Sequence, residues 1–109
     1  MTNEFIAGFF TGEGYFYVQN IGKYKGFQLG IHLDIVDLPL LREIQMHLGY
    51  GYINILEKSC SFRISKASDI NRFLNDVGTH IAGNKKRQMF VFACEFNEYD
   101  SKRLPCHRR

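Results

Sequence analysis

Residues 27–35 alternate without a break. Phe27, Leu29, Ile31, Leu33 and Ile35 fall on one side, and Gln28, Gly30, His32 and Asp34 on the other. Period-two alternation over nine residues marks a half-buried strand, with one face on a core and the other turned to water or a partner. A strand with a single apolar face belongs to an antiparallel sheet covered on one side, because strands buried on both faces read as continuous apolar runs.

The flanking segments repeat the pattern. Tyr15, Tyr17 and Gln19 alternate with Phe16 and Val18 to give a first strand, and Gly22-Lys23-Tyr24-Lys25-Gly26 forms the turn into the run at 27. A third strand has Ile53 and Ile55 inward and Tyr52 and Asn54 outward. A fourth has Phe62 and Ile64 inward and Ser61, Arg63 and Ser65 outward.

Helical spacing fills the gaps. Asn3 and Glu4 open a short first helix that Gly12 and Gly14 stop. Asp37 caps a second helix with Pro39 in its first turn, an apolar stripe at Leu40, Leu41, Ile44, Met46 and Leu48, and Gly49 as its stop. Ser68 caps a third over 69–77. Residues 79–87 read as a polar connection, and a last helical segment over 88–99 buries Phe90, Val91, Cys94 and Phe96. The expected architecture is α+β, in the order αββαββα, with a four-stranded antiparallel sheet and the helices on one face. Residues 1–99 make one domain, large enough for its own core, and 100–109 a loosely held basic tail.

The first helix carries an oddity. Glu13 stands at its C-terminal end, where the helix dipole is negative and a carboxylate is disfavoured unless something positive sits beside it. Gly8 and Gly12, one turn apart, together with Ala7 leave one face almost bare. Two such faces can approach backbone to backbone, which brings two copies of Glu13 together, and like charges so close call for a bound cation. The uncovered sheet face is equally particular: Tyr15, Tyr17, Gln19, Gln28, His32, Asp34, Tyr52, Asn54, Ser61, Arg63 and Ser65 are amide, hydroxyl and aromatic groups with few Lys–Glu pairs. Such groups suit base edges and phosphates. Charge is unevenly spread: residues 1–79 hold seven Lys/Arg and eight Asp/Glu, whereas residues 80–109 hold seven and three. A basic C-terminal third suits a polyanionic partner.

Ile6-Ala7-Gly8-Phe9-Phe10-Thr11-Gly12-Glu13-Gly14 resembles the signature of the LAGLIDADG homing endonucleases: apolar, Ala, Gly, two bulky apolar residues, a variable position, Gly, acid, Gly. The resemblance extends over roughly residues 4–92, including Asp37-Leu38-Pro39-Leu40-Leu41, Ile44-Gln45, and Gly49 with Gly51. Thr11 stands where the pattern often has Asp, a position that is not the catalytic ligand. The resemblance implies site-specific double-strand DNA cleavage by a homodimer paired through Ala7, Gly8, Thr11 and Gly12. Glu13 would bind Mg²⁺ (Mn²⁺ as an alternative), helped by the Gly12 carbonyl, and Lys86 would serve as the basic residue of the active site, with Lys85 one residue away. The two sheets would form a saddle on a roughly palindromic target, the face residues above reading DNA and Lys23, Lys25, Lys85 and Arg87 meeting phosphates. Gln28, His32 and Asp34 are all open as the polar residue that organises water.

A catalytically inactive DNA- or RNA-binding module of the same fold, such as an intron maturase or transcription regulator, is the alternative. Half of a larger two-motif protein is another. Three cysteines without metal-ligand spacing, no apolar run long enough for a membrane and no apolar leader suggest an intracellular, reducing setting, organellar or cytoplasmic rather than secreted.

Overall fold

The alternating run becomes the longest strand of the sheet. In a computed structural model, which describes residues 1–107 and side chains through Tyr99, the chain runs α1 (Asn3–Glu13), β1 (Gly14–Ile21), β2 (Tyr24–Asp34), α2 (Leu38–Leu48), β3 (Tyr52–Ile55), β4 (Ser59–Ile64), α3 (Ala67–Asp76) and α4 (Gly83–His107). Short 3₁₀ turns at Ile35–Asp37 and Gly78–His80 lead into α2 and follow α3. The four strands form one antiparallel sheet in the order β1-β2-β4-β3. The expected α+β class and sheet are present, and the described residues hold four α-helices, one more than the order αββαββα, because α4 follows α3.

Aromatic packing holds α1 against the sheet. Phe10 lies with ring centroids 5.1 Å from Phe16 of β1 and 5.2 Å from Phe73 of α3. Phe27 of β2 is ringed by Phe92, Phe96 and Tyr99 of α4 at 5.4–5.7 Å. Such pairs add about 0.5–1.5 kcal/mol each beyond area burial. Gly14 is required here, because a Cβ at that position would sit 2.4 Å from the Phe10 ring. Ile6, Ala7 and Phe10 are therefore the inward face of α1.

Several local expectations are corrected. Thr2, not Asn3, caps α1: its Oγ1 accepts from Phe5 N at 3.0 Å, while Asn3 Oδ1 lies 3.0 Å from His47 Nε2. Asp37 and Lys66 precede α2 and α3 without side-chain capping bonds, so neither Asp37 nor Ser68 caps as expected. Met46 is 85% exposed, five residues from Leu41 and off the Leu41–Ile44–Leu48 stripe. Ile55, half exposed, closes the edge strand β3.

The largest correction concerns α4. It starts at Gly83 (φ 64), so Lys85-Lys86-Arg87 lie in a helix rather than a connection. Its buried residues are Met89, Phe92 and Phe96, while Phe90 (56%), Val91 (59%) and Cys94 are exposed. The side chains of the proposed basic tail, 100–109, lie outside the described residues.

Candidate nucleic-acid interface

The polar face of the sheet and the C-terminal end of α1 meet at one edge. Because β1 follows α1 directly, Glu13 ends the helix and Tyr15 starts the outward row two residues later. Antiparallel register arranges that row as Tyr15–Gly30–Arg63–Tyr52 across all four strands. Tyr17 and Gln28 form a neighbouring pair, and His32, Ser61 and Asn54 another row. Tyr15 Oη accepts from Gln28 Nε2 at 2.8 Å. The Nε of Arg63 is buried without a hydrogen-bond partner.

Not every expected residue is available on that face. Ser61 has the right parity but is only 3% exposed, because a central strand surrounds its small side chain with larger neighbours. Ser65 lies just past the end of β4 and is exposed. Asp34 Oδ1 accepts from Val36 N at 3.0 Å, so it caps the 3₁₀ turn while staying exposed. Lys25 falls on the helix side, in phase with Phe27. Its Nζ stands 3.7 Å from Glu95 Oε2 and its backbone N–H donates to Tyr99 Oη at 3.2 Å. Lys23 sits with Gly22 (φ 59) in a two-residue hairpin turn, exposed as expected.

The face of α1 is sorted in the same way. Gly8 and Gly12 are open, and a Cβ on either would meet nothing within 4 Å. Ala7 is wholly buried in its own core and is not a contact for a second copy. Thr11 also turns inward. Its Oγ1 donates to Ala7 O at 2.7 Å and accepts from Ala82 N at 3.4 Å. Phe5, half exposed and stacked on Phe9, joins Gly8 and Gly12 on the open face. Its spacing of three and seven residues from those glycines was the available signal.

Glu13 is exposed, at the rim of an open cleft of about 500 Å³ with Phe9, His32, Asp34, Asp37 and Lys58. No basic residue lies in the last turn of α1. A cation arrives from elsewhere: Lys85 Nζ donates to Gly14 O at 2.5 Å, offsetting the negative helix end. Lys86, the residue expected there, points away from this end and lines a separate cleft with Leu74, Gly78 and Phe90. Arg87, expected at a DNA phosphate, is exposed on α4 in a cleft with Phe16, Val18 and Val91, on the helix side of the sheet and away from its polar face.

Among the described residues no group of three or more His, Cys, Asp or Glu side chains is placed to hold a metal. One chain supplies the Glu13 carboxylate and the unpaired carbonyls of the last helical turn, Gly12 included. These are hard oxygen donors suited to Mg²⁺ or Mn²⁺, ions that one or two carboxylates hold while water and substrate phosphate complete the six positions.

Burial pushes the Cys60 thiol up, aided by the charges of Asp37 and Asp34, and its Sγ donates to Asp34 O at 3.4 Å. Cys60 and Cys94 are free thiols. Among the described residues no helix is long and apolar enough to cross a membrane.

A profile of the LAGLIDADG endonucleases matches residues 6–99. Among solved structures, homing endonuclease I-GzeII in complex with its DNA target superposes with a TM-score of 0.85 at 24% identity, covering 95% of this chain and 38% of that one. Meganuclease I-CpaMI bound to uncleaved DNA gives 0.82 at 24%, covering 95% and 38%. Homing endonuclease I-TnaI gives 0.85 at 18%, covering 95% of this chain and 77% of the other. The chain thus spans under two-fifths of the length of the first two, and at these identities the likeness is one of fold.

Proposed function

Because the chain belongs to the LAGLIDADG endonuclease family, we propose that it is a site-specific double-strand DNA endonuclease that acts as a homodimer. The observation that carries this reading is the coincidence on α1 of an open small-residue face with an exposed acid at its C-terminal end, continuous through β1 with a polar sheet face.

Two α1 helices packed through Phe5, Gly8 and Gly12 bring both Glu13 carboxylates to the two-fold axis. There Glu13 and the Gly12 carbonyl of each copy would hold divalent metal. When bound, Mg²⁺ or Mn²⁺ would polarise the scissile phosphate and lower the pKa of the attacking water. Lys85, anchored on Gly14 O, sets positive charge at the helix end that carries the acid and offsets charge developing on the phosphate. Hydrolysis joins the water oxygen to phosphorus as the 3′ oxygen leaves, and no protein nucleophile is needed. The polar rows of the two sheets lie along the major groove, and Lys23 meets backbone phosphate. A two-fold dimer reads a roughly palindromic site.

The test is selection of duplexes from a randomised library in Ca²⁺, followed by cleavage of plasmid carrying the selected site in Mg²⁺. The wild-type protein should linearise the plasmid, while Glu13→Gln binds the site as well and does not cut. Binding with no cleavage by the wild type would make the chain a binding module. A second reading takes its support from the 38% coverage of I-GzeII and I-CpaMI: the partner α1 comes from a different polypeptide. It predicts a chain that stays monomeric in solution at every concentration and with DNA.

A further inference from the structure

The arrangement around Gly30 carries information about which base the sheet reads. Gly30 lies opposite Tyr15 in the ladder, between β1 and Arg63 of β4. A Cβ on Gly30 would sit 2.9 Å from Tyr15 Oη, 3.1 Å from Tyr15 Cζ and 2.2 Å from Phe62 O. The end of the Tyr15 ring therefore occupies the space a side chain would take, and the ring lies over the neighbouring strand. That brings its hydroxyl to Gln28, one step along β2 on the same face, whose Nε2 donates to Oη at 2.8 Å. Both residues are half-buried.

The direction of this bond fixes what the pair offers outward. The phenol oxygen accepts from one amide N–H, so its own proton and the second Nε2 hydrogen are left to donate, and Gln28 Oε1 is left to accept. The pair holds an acceptor as well as donors, and of the two purines only adenine satisfies both in the major groove, its N7 accepting and its N6 amino group donating. Guanine offers two acceptors there and would set one of them against Gln28 Oε1, cytosine offers only a donor, and thymine only the O4 acceptor beside its methyl group. Tyr15 follows Glu13, the last residue of α1, by two residues, a reach of at most about 7 Å of chain, or roughly two base-pair steps. We infer that Tyr15 and Gln28 act as one adenine-reading unit at the inner end of each half-site. This rests on the reading of the sheet as the DNA interface.

The experiment is selection from a randomised duplex library in Ca²⁺ with the wild type, Tyr15→Phe, Gln28→Leu and the double variant, each checked for wild-type melting temperature. The wild type should prefer adenine by roughly tenfold at one inner position of each half-site. Each single variant should flatten that same position and leave the others, and the double variant should do no more than either single one. Weakening spread over all positions would make Tyr15 a structural residue and overturn the inference, as would two different positions lost in the two single variants. A preference for guanine or cytosine at the affected position overturns it as well. Selective binding with no such adenine position sinks this inference and leaves the nuclease reading standing. Failure to select any duplex sinks both.

Discussion

Replacing Gly8 with alanine should move folding and association in opposite directions. Gly8 lies in the interior of α1, and a Cβ there meets nothing within 4 Å beyond its chain neighbours and the backbone of its own helix. Alanine therefore fits the protomer without repacking, and the helix gains about 0.8–1.0 kcal/mol from propensity alone. In a dimer joined through this face the added methyl stands where another backbone must come. Overpacking costs typically about 1–3 kcal/mol, and an isologous interface meets the methyl twice. The combined cost of about 2–6 kcal/mol raises the dimer dissociation constant on the order of 30- to 10⁴-fold. Sedimentation velocity over a dilution series reads the association, and urea unfolding at concentrations where the wild type is monomeric reads the fold. The expected variant is a better-folded monomer that cuts DNA only at high concentration. Association as tight as wild type would refute the placement of the interface. Loss of monomer stability would refute the claim that this face is open.

Three further outcomes follow from named contacts. Lys85→Met removes a charged hydrogen bond to a partly buried carbonyl, so stability should fall by about 1–2 kcal/mol and plasmid cleavage by at least roughly tenfold; Lys86→Met should leave both within about twofold, and the reverse ranking would return the active-site role to Lys86. The Tyr50 hydroxyl is pushed up to about 12 by burial, then by Asp76 and Asp69 against the opposing Arg72, whose guanidinium lies 4.6 Å from the ring centroid. The folded state thus holds this proton longer than the unfolded chain, so stability is unaffected below pH 10 and falls between about 10 and 12, by roughly 1–2 kcal/mol. Tyr50→Phe should lose that part of the alkaline decline in urea melts and gain about 1 kcal/mol at neutral pH, since the buried hydroxyl has no hydrogen-bond partner. Lys25→Ala should cost under about 1 kcal/mol, because both members of its pair with Glu95 are well exposed; a larger loss of DNA affinity than with Lys23→Ala would contradict its place on the helix side.

What the sequence disclosed depended on whether the deciding interaction was local. The run at 27–35 was legible because period two admits one assignment of faces, and Leu29, Ile31 and Phe27 are buried accordingly. Lys25 was misread because the turn was drawn from Gly22 to Gly26. The turn is only Gly22-Lys23, and once β2 starts at Tyr24, parity with Phe27 sends Lys25 to the helices. Phe90-Val91-Phe92 offers three phases to a helix, and the one chosen was fixed by where Phe27 and Phe16 receive the Phe92 ring, at 5.7 and 5.1 Å. That is a tertiary contact no window on α4 contains. Ser61 likewise owes its burial to neighbours on strands distant in sequence.

The acid at 13 was legible because it violates a local rule, standing at the negative end of its own helix. The fold relieves part of that violation with Lys85, seventy-one residues away on the Gly14 carbonyl. It leaves the carboxylate itself exposed, beside a helix face that its own chain does not cover. An isolated protomer has no structural use for either feature. Both acquire one when a second helix end brings its acid and carbonyls to the same point, which is why the proposed site belongs to the pair and not to the single chain.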